Sequence, residues 1–262
     1  MGGIAQMTVT IAVAGKGGTG KTTFAALVIK YLKENTSGYI LAVDGDPSSN
    51  LHLVLGMPLE ETVGHIREDT LSQVQSGTFQ AGISKADYLE LRINQALVEG
   101  DRVDLIAMGR PEGPGCYCAA NAILRNVIDR LKQDYDYVVI DNEAGMEHIS
   151  RQTMQSVDHL FVISDPTVRG LMAAKGIVEL AKELGTKIRH AYLVVNRVNG
   201  ELPAPLRERT QEIGIQLVGT LPDDPAVAEF DLVGRPLIEV DDGAPIYEAV
   251  KEILGKVNIL NP

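Results

Sequence analysis

The chain has 262 residues, 45% of them hydrophobic, enough for one α/β domain spanning residues 1–262 with a substantial core. Its formal charge of −11 repels phosphate backbones and argues against a nucleic-acid partner. No run of about 18 apolar residues exists to cross a membrane, and residues 1–6 read as a short leader without the pattern of an export signal, so a cytoplasmic protein without a membrane partner is expected.

Residues 8–14 (TVTIAVA) form a continuous apolar run of the buried-strand type. They feed Gly15-Lys16-Gly17-Gly18-Thr19-Gly20-Lys21-Thr22-Thr23, a complete G-x-x-x-x-G-K-[ST] phosphate loop. Residues 22–33 then read as a helix with Ala25, Leu27, Val28, Tyr31 and Leu32 on or near its apolar side. Strand, loop and helix stand in the order that such a loop requires. Its glycines let main-chain N–H groups converge on phosphate oxygens, and the helix N-terminus adds roughly half a positive charge there. Lys21 is the candidate for the β- and γ-phosphates, and Thr22 for Mg²⁺.

Lys16 is a second lysine inside the loop. It has little room to share its own nucleotide's phosphates with Lys21, so it is read as reaching a partner's nucleotide across a homodimer, as an arginine finger does in trans. The plain alternative is a solvated loop lysine. The two-lysine loop resembles the deviant Walker A of MinD, ParA and the nitrogenase iron protein.

Further along, residues 39–43 form a second strand ending at Asp44-Gly45-Asp46-Pro47, at the strand end where open α/β sheets place ligands. Residues 56–86 read as loops and short helices. A helix is expected over 87–98, a strand over 102–108, a Gly/Pro-rich loop over 109–118 and a helix over 121–131. Strands follow at 137–140, 160–163, 191–195 and 215–221, with helices at 168–184, 205–213 and 245–257. The alternation implies an α/β fold of the P-loop class: a mostly parallel central sheet with helices on both faces. The closing helix carries balancing charges and reads as a core helix rather than a membrane-lying one.

Asp141 follows four apolar strand residues and fits a Walker B carboxylate near Mg²⁺. Residues 141–148 (DNEAGMEH) would then be a switch segment responding to the γ-phosphate. Asp44 either binds Mg²⁺ through water or helps to hold its loop. Cys116-Tyr117-Cys118 holds both cysteines of the chain. Thiolates suit soft or borderline metals such as Zn²⁺, Cu(I) or Ni²⁺. One pair supplies two ligands, so a four-sulfur site needs two copies, most simply across a two-fold axis. The five histidines have no metal-ligand spacing.

The segments 108–118 (MGRPEGPGCYC) and 141–148 resemble those of CooC-type ATPases, the accessory proteins for nickel insertion into carbon monoxide dehydrogenase and its acetyl-CoA synthase-associated relatives. The resemblance implies ATP and Mg²⁺ as cofactors, with Ni²⁺ or Zn²⁺ bound by Cys116 and Cys118 at a dimer interface. The client would be a carbon monoxide dehydrogenase or acetyl-CoA synthase-type enzyme. By the wider family's pattern, Asp46 positions the attacking water. Asn196 reads the adenine, Arg197 beside it belongs to the ATP site, and Pro222 and Asp223 line the base pocket. Two other readings stay open: an ATP-dependent electron donor like the iron protein, and a positioning ATPase like MinD or ParA.

Overall fold

In the computed structural model, residues 8–79, 82, 84–110, 118–143 and 156–260 are described. Seven strands are the frame: β1 (Val9–Gly15), β2 (Ile40–Gly45), β3 (Val103–Ala107), β4 (Tyr137–Asn142), β5 (Ser156–Ser164), β6 (Lys187–Val195) and β7 (Gln216–Thr220). They form one sheet in the order β3-β2-β4-β1-β5-β6-β7. Every pairing within it is parallel. β1 lies between β4 and β5, yet the chain leaves it for β2, on the far side of β4. That change of direction opens a crevice at the C-terminal strand ends, where ligands of open α/β sheets bind.

Strand residues alternate between two cores, because successive side chains point to opposite faces. Ile11, Val13, Ile40, Ala42, Val139, Phe161 and Val194 share one core with helices α1 (Lys21–Asn35), α2 (Leu51–Leu55) and α9 (Pro245–Lys256). The opposite face is divided. Ala12, Ala14, Leu160, Val162 and Leu193 pack under α6 (Val168–Glu183). Leu41, Val43, Val138 and Ile140 pack against α3 (Val63–Gln75), α4 (Lys85–Gln95) and α5 (Cys118–Leu131) through Ile66, Ile93 and Ile128. Helices α7 (Ala204–Gln211) and α8 (Pro225–Val233) complete the set among the described residues.

α1 buries residues on every side, including Phe24, Ala25, Leu27, Val28, Ile29 and Leu32. An apolar helix of this kind is held by its surroundings on all sides. Phe24 meets Phe161 with ring centroids 5.2 Å apart. At the other end, the Arg102 guanidinium donates to the carbonyls of Thr36 and Lys33, satisfying acceptors that the helix C-terminus leaves over. The helix behind the phosphate loop is therefore fixed along its length.

Two expectations change. Residues 56–86 are not only loops and short pieces: α3 runs for 13 residues, its start capped by Thr62 Oγ1, which accepts the His65 N–H at 3.2 Å. α8 follows β7 where no element was expected. The closing helix is a core element, with Ile246, Tyr247, Val250, Ile253 and Leu254 buried. Among the described residues, no helix is long and apolar enough to cross a membrane.

Candidate functional site

The phosphate loop leaves β1 at Gly15 and enters α1 through Gly20. Gly15 is required by close approach: a Cβ there would lie 2.4 Å from the Ile163 carbonyl oxygen. Gly20 has φ 92°, and its Cβ would meet Asn196 Nδ2 at 2.3 Å. Between them, Thr19 is buried and its hydroxyl donates to the Lys16 carbonyl at 2.8 Å, closing the loop on itself. No side chain caps the start of α1, so its first N–H groups face the loop's concavity. Lys21 is nearly buried, whereas Lys16, Gly17 and Gly18 are exposed. The two lysines thus differ as their positions suggest: one turned inward, one presented to solvent.

β4 brings a carboxylate to the same place. Asp141 Oδ2 accepts the Thr22 hydroxyl at 2.5 Å, while Oδ1 is buried with no partner among the described residues. Burial raises the Asp141 carboxyl to about 6. The Thr22 hydrogen bond and Lys21 oppose that rise, and Asp46 adds to it. An orphaned carboxylate oxygen beside a threonine hydroxyl and an uncapped helix start fits a nucleotide phosphate with its Mg²⁺. Asn142, next along β4, donates from Nδ2 to the Val13 carbonyl at 2.9 Å and ties β4 to the strand feeding the loop.

β2 ends beside it, with Asp44 opposite Asp141 in the sheet register. Asp44 is fully buried. Its Oδ1 accepts the Asp46 N–H at 3.0 Å and its Oδ2 the Leu51 N–H at 2.8 Å. Burial raises this carboxyl to about 7 despite those two hydrogen bonds, helped by repulsion from Asp141 and Asp46. Asp46 itself is half-buried and accepts the Ser48 N–H at 2.8 Å.

The far side of the site comes from β6 and β7. Asn196 is buried; its N–H donates to the Ser164 carbonyl, and its Nδ2 donates to the Thr19 carbonyl at 2.8 Å. Its Oδ1 accepts the Arg197 N–H at 2.8 Å, and Arg197 takes the left-handed conformation, φ 58°. The Asn196 side chain therefore braces the phosphate loop from below. Two neighbouring cavities lie across these parts. One of about 510 Å³ is lined by Gly17, Gly18, Lys21, Thr22 and Asp46 on one side, and by Leu53, Val54, Phe230 and Arg235 on the other. A smaller one, about 150 Å³, is lined by Asn196, Pro222, Asp223, Val227 and Ile246. Both share Gly20, Thr23, Arg197 and Asp231. The result is a polar end at the glycine loop beside a smaller slot at α8.

Residues in and just after α8 were missed from the sequence. Phe230 and Arg235 form part of the larger cavity wall, the guanidinium lying 4.4 Å over the ring centroid. Asp224 sets this wall: Oδ1 accepts the Ala226 N–H and Oδ2 the Ile246 N–H, each at 3.0 Å, so one carboxylate caps α8 and α9 together. The Asp-Pro pair opening residues 224–225 was a legible helix start. The second cap was not.

The readings of Cys116 and of the switch segment beyond Glu143 lie outside the described residues, as does the Cys118 side chain, whose backbone opens α5. Among the described residues, no three histidine, cysteine or carboxylate side chains converge as a metal-binding group.

A glycine loop, an inward lysine and a threonine–aspartate pair at the ends of parallel strands define a P-loop nucleotide-binding protein. Residues 10–237 match the family described as the CobQ/CobB/MinD/ParA nucleotide binding domain, and the chain belongs to that family. It is 47% identical over 247 residues to an uncharacterized ATP-binding protein of Methanocaldococcus jannaschii, covering 94% of this chain and 97% of the relative. It is 30% identical over 241 residues to the carbon monoxide dehydrogenase accessory protein CooC of Rhodospirillum rubrum, covering 86% and 87%. The septum site-determining protein MinD of Pyrococcus horikoshii, solved with Mg-ADP, has the same fold, with TM-score 0.70 and 24% identity over 97% of each chain.

Proposed function

We propose that the chain is a Mg²⁺-dependent ATPase that works as a homodimer and couples ATP binding and hydrolysis to nickel delivery into a carbon monoxide dehydrogenase-type metallocluster. The observation that carries this reading is Cys116-Tyr117-Cys118 in a P-loop ATPase that is similar to CooC along most of its length. Ni²⁺, or Zn²⁺ in its stead, is cargo held by two cysteine pairs, one from each copy. The client is a carbon monoxide dehydrogenase or acetyl-CoA synthase-type enzyme.

The described residues supply the nucleotide half. The loop's main-chain N–H groups and the start of α1 hold the phosphates, and Lys21 neutralises their charge from the buried side. Thr22 and Asp141 hold Mg²⁺, which when bound neutralises the phosphate oxygens. Asp46 orients the water that attacks the γ-phosphorus as the bond to the ADP oxygen breaks. Arg197, Pro222 and Asp223 receive the base and ribose in the smaller slot. The exposed Lys16 stabilises the transferred charge on the partner's nucleotide. Closing two copies on ATP brings the cysteine pairs together, so nucleotide state sets metal affinity.

The likeness to MinD favours a second reading, a positioning ATPase. Against it stands α9, whose apolar face is committed to the core rather than to a lipid surface. Pelleting with anionic vesicles separates the two.

The test is elemental analysis of the purified protein with and without a non-hydrolysable ATP analogue, beside Cys116→Ala/Cys118→Ala. One Ni²⁺ or Zn²⁺ per dimer, lost in the double variant, supports the proposal. Equal metal content in both proteins overturns it. A brown, redox-active dimer instead points to an iron-protein-like electron donor.

A further inference from the structure

The carboxylate at the end of β2 lies within the nucleotide site but is turned away from it. Asp44 is fully buried, and each of its oxygens takes a main-chain N–H from the segment that follows: Asp46 at 3.0 Å and Leu51 at 2.8 Å. These two bonds span the turn that carries Asp46. Within it, the Ser49 N–H donates to the Asp46 carbonyl at 3.0 Å, and Ser49 takes a left-handed φ of 48°. A non-glycine residue there persists only where its surroundings hold it. Leu51 is also the first residue of α2, whose N-cap, Asn50, makes no side-chain cap. Asp44 supplies that missing cap from seven residues upstream.

What the turn and α2 carry is the wall of the larger cavity: Asp46, Asn50, Leu53 and Val54 all line it, facing Lys21 and Thr22. Asp141, opposite Asp44 in register, instead spends one oxygen on Thr22 and leaves the other without a partner. We infer that Asp44 is the positioning residue of this wall, holding residues 45–51 from beneath so that Asp46 faces the phosphate end, in place of a role at Mg²⁺. The division of labour is then clear. Asp141 organises the phosphate-side threonine, and Asp44 organises the opposing aspartate.

The inference concerns the loop and rests on the ATPase reading only for its kinetic arm. The first measurement therefore uses main-chain hydrogen exchange of the nucleotide-free protein, which needs no activity. In Asp44→Asn the side-chain amide points its own N–H groups at one of the two donors, so one bond is lost. At least one of the Asp46 and Leu51 amides is expected to exchange at least about tenfold faster in that variant, with the β1 amides unchanged. In the kinetic arm, kcat for ATP falls about 10- to 100-fold through a misplaced Asp46, while ADP affinity stays within about threefold. Unchanged exchange at both amides overturns the inference. So does a tenfold or greater rise in the Mg²⁺ concentration needed for nucleotide binding with the loop amides unaltered, which would put Asp44 on the metal. If Asp44→Asn does not fold, the unsubstituted chain still decides. Both amides must be protected there, and exchange at unfolded-chain rates overturns the assignment.

Discussion

The two ends of the nucleotide crevice are built in different ways. The phosphate end is main chain: a loop of glycines closed by Thr19 on Lys16, leading into a helix start with no side-chain cap. The slot end is assembled from side chains on distant elements: Asn196 after β6, Pro222 and Asp223 after β7, and Val227 on α8. Asn196 connects the ends, since its amide holds the Thr19 carbonyl while its backbone hangs from Ser164. Geometry carried by main chain survives most side-chain changes; geometry carried by caps fails one contact at a time.

Substitutions separate the two ends, and the largest effect belongs to the phosphate end. Lys21→Ala removes the one inward cation of the loop, and nucleotide affinity is expected to fall at least about 100-fold, near 3 kcal/mol, with the melting temperature of the apo protein little changed. Titration calorimetry with ADP reads the first, and a thermal melt the second. A retained affinity would mean that the loop's N–H groups alone hold the phosphates.

Asp224→Ala strikes the slot end through stability instead. Two helix-start N–H groups lose their acceptor at once, at a cost of about 2–4 kcal/mol in denaturant unfolding. The loss is expected to weaken nucleotide binding through the α8 wall. A shift below about 0.5 kcal/mol would show that water replaces both caps.

Asn196→Ala tests the connection. It removes the bond to Thr19 and the acceptor of the Arg197 N–H, so both ends loosen and ADP binding weakens about tenfold, or 1.4 kcal/mol. If only base discrimination changes, the brace is not the residue's main role.

The last effect lies away from the crevice and serves as the control. His159, on β5, is 2% exposed with neither ring nitrogen partnered among the described residues. Burial first, then His190, hold it at about 4, below the usual histidine value. The unfolded chain takes up that proton near 6.5, so stability is constant above 6.5 and falls between 6.5 and 4, by at most about 1.4 kcal/mol per pH unit. Urea unfolding at pH 7 and pH 5 measures the slope. His159→Phe should flatten it without altering ADP affinity at pH 7. An unchanged slope would assign the acid limb to other groups.

The regular elements were legible because each depended on local pattern. The apolar runs of β1, β2, β4 and β5 are continuous, as strands buried on both faces must be. The glycine loop is a local motif whose neighbours confirm it. The 63–75 helix was obscured by Gly64 and by charges along it, and its regularity comes from Val63, Ile66 and Thr70 packing inward. α8 was missed because it buries no residue fully, so its apolar positions made no clear helical stripe.

From the amino-acid order alone came the P-loop with its two lysines, the parallel α/β class and the carboxylates at strand ends. Each depends on neighbours within a few residues, or on a period that a strand or helix repeats. Tertiary structure alone decided which hydrogen-bond partners each carboxylate takes. Asp44 and Asp141 are the same residue type at equivalent strand ends, and nothing local distinguishes them. Sheet order brings Asp141 to Thr22, whereas the chain's return at Leu51 closes both Asp44 oxygens. The same holds for Asn196 beneath Thr19, a contact across 177 positions that exists only because β6 reaches β1 through β5. Hydrogen-bond partners over such distances are chosen by strand order, and strand order is a property of the folded chain.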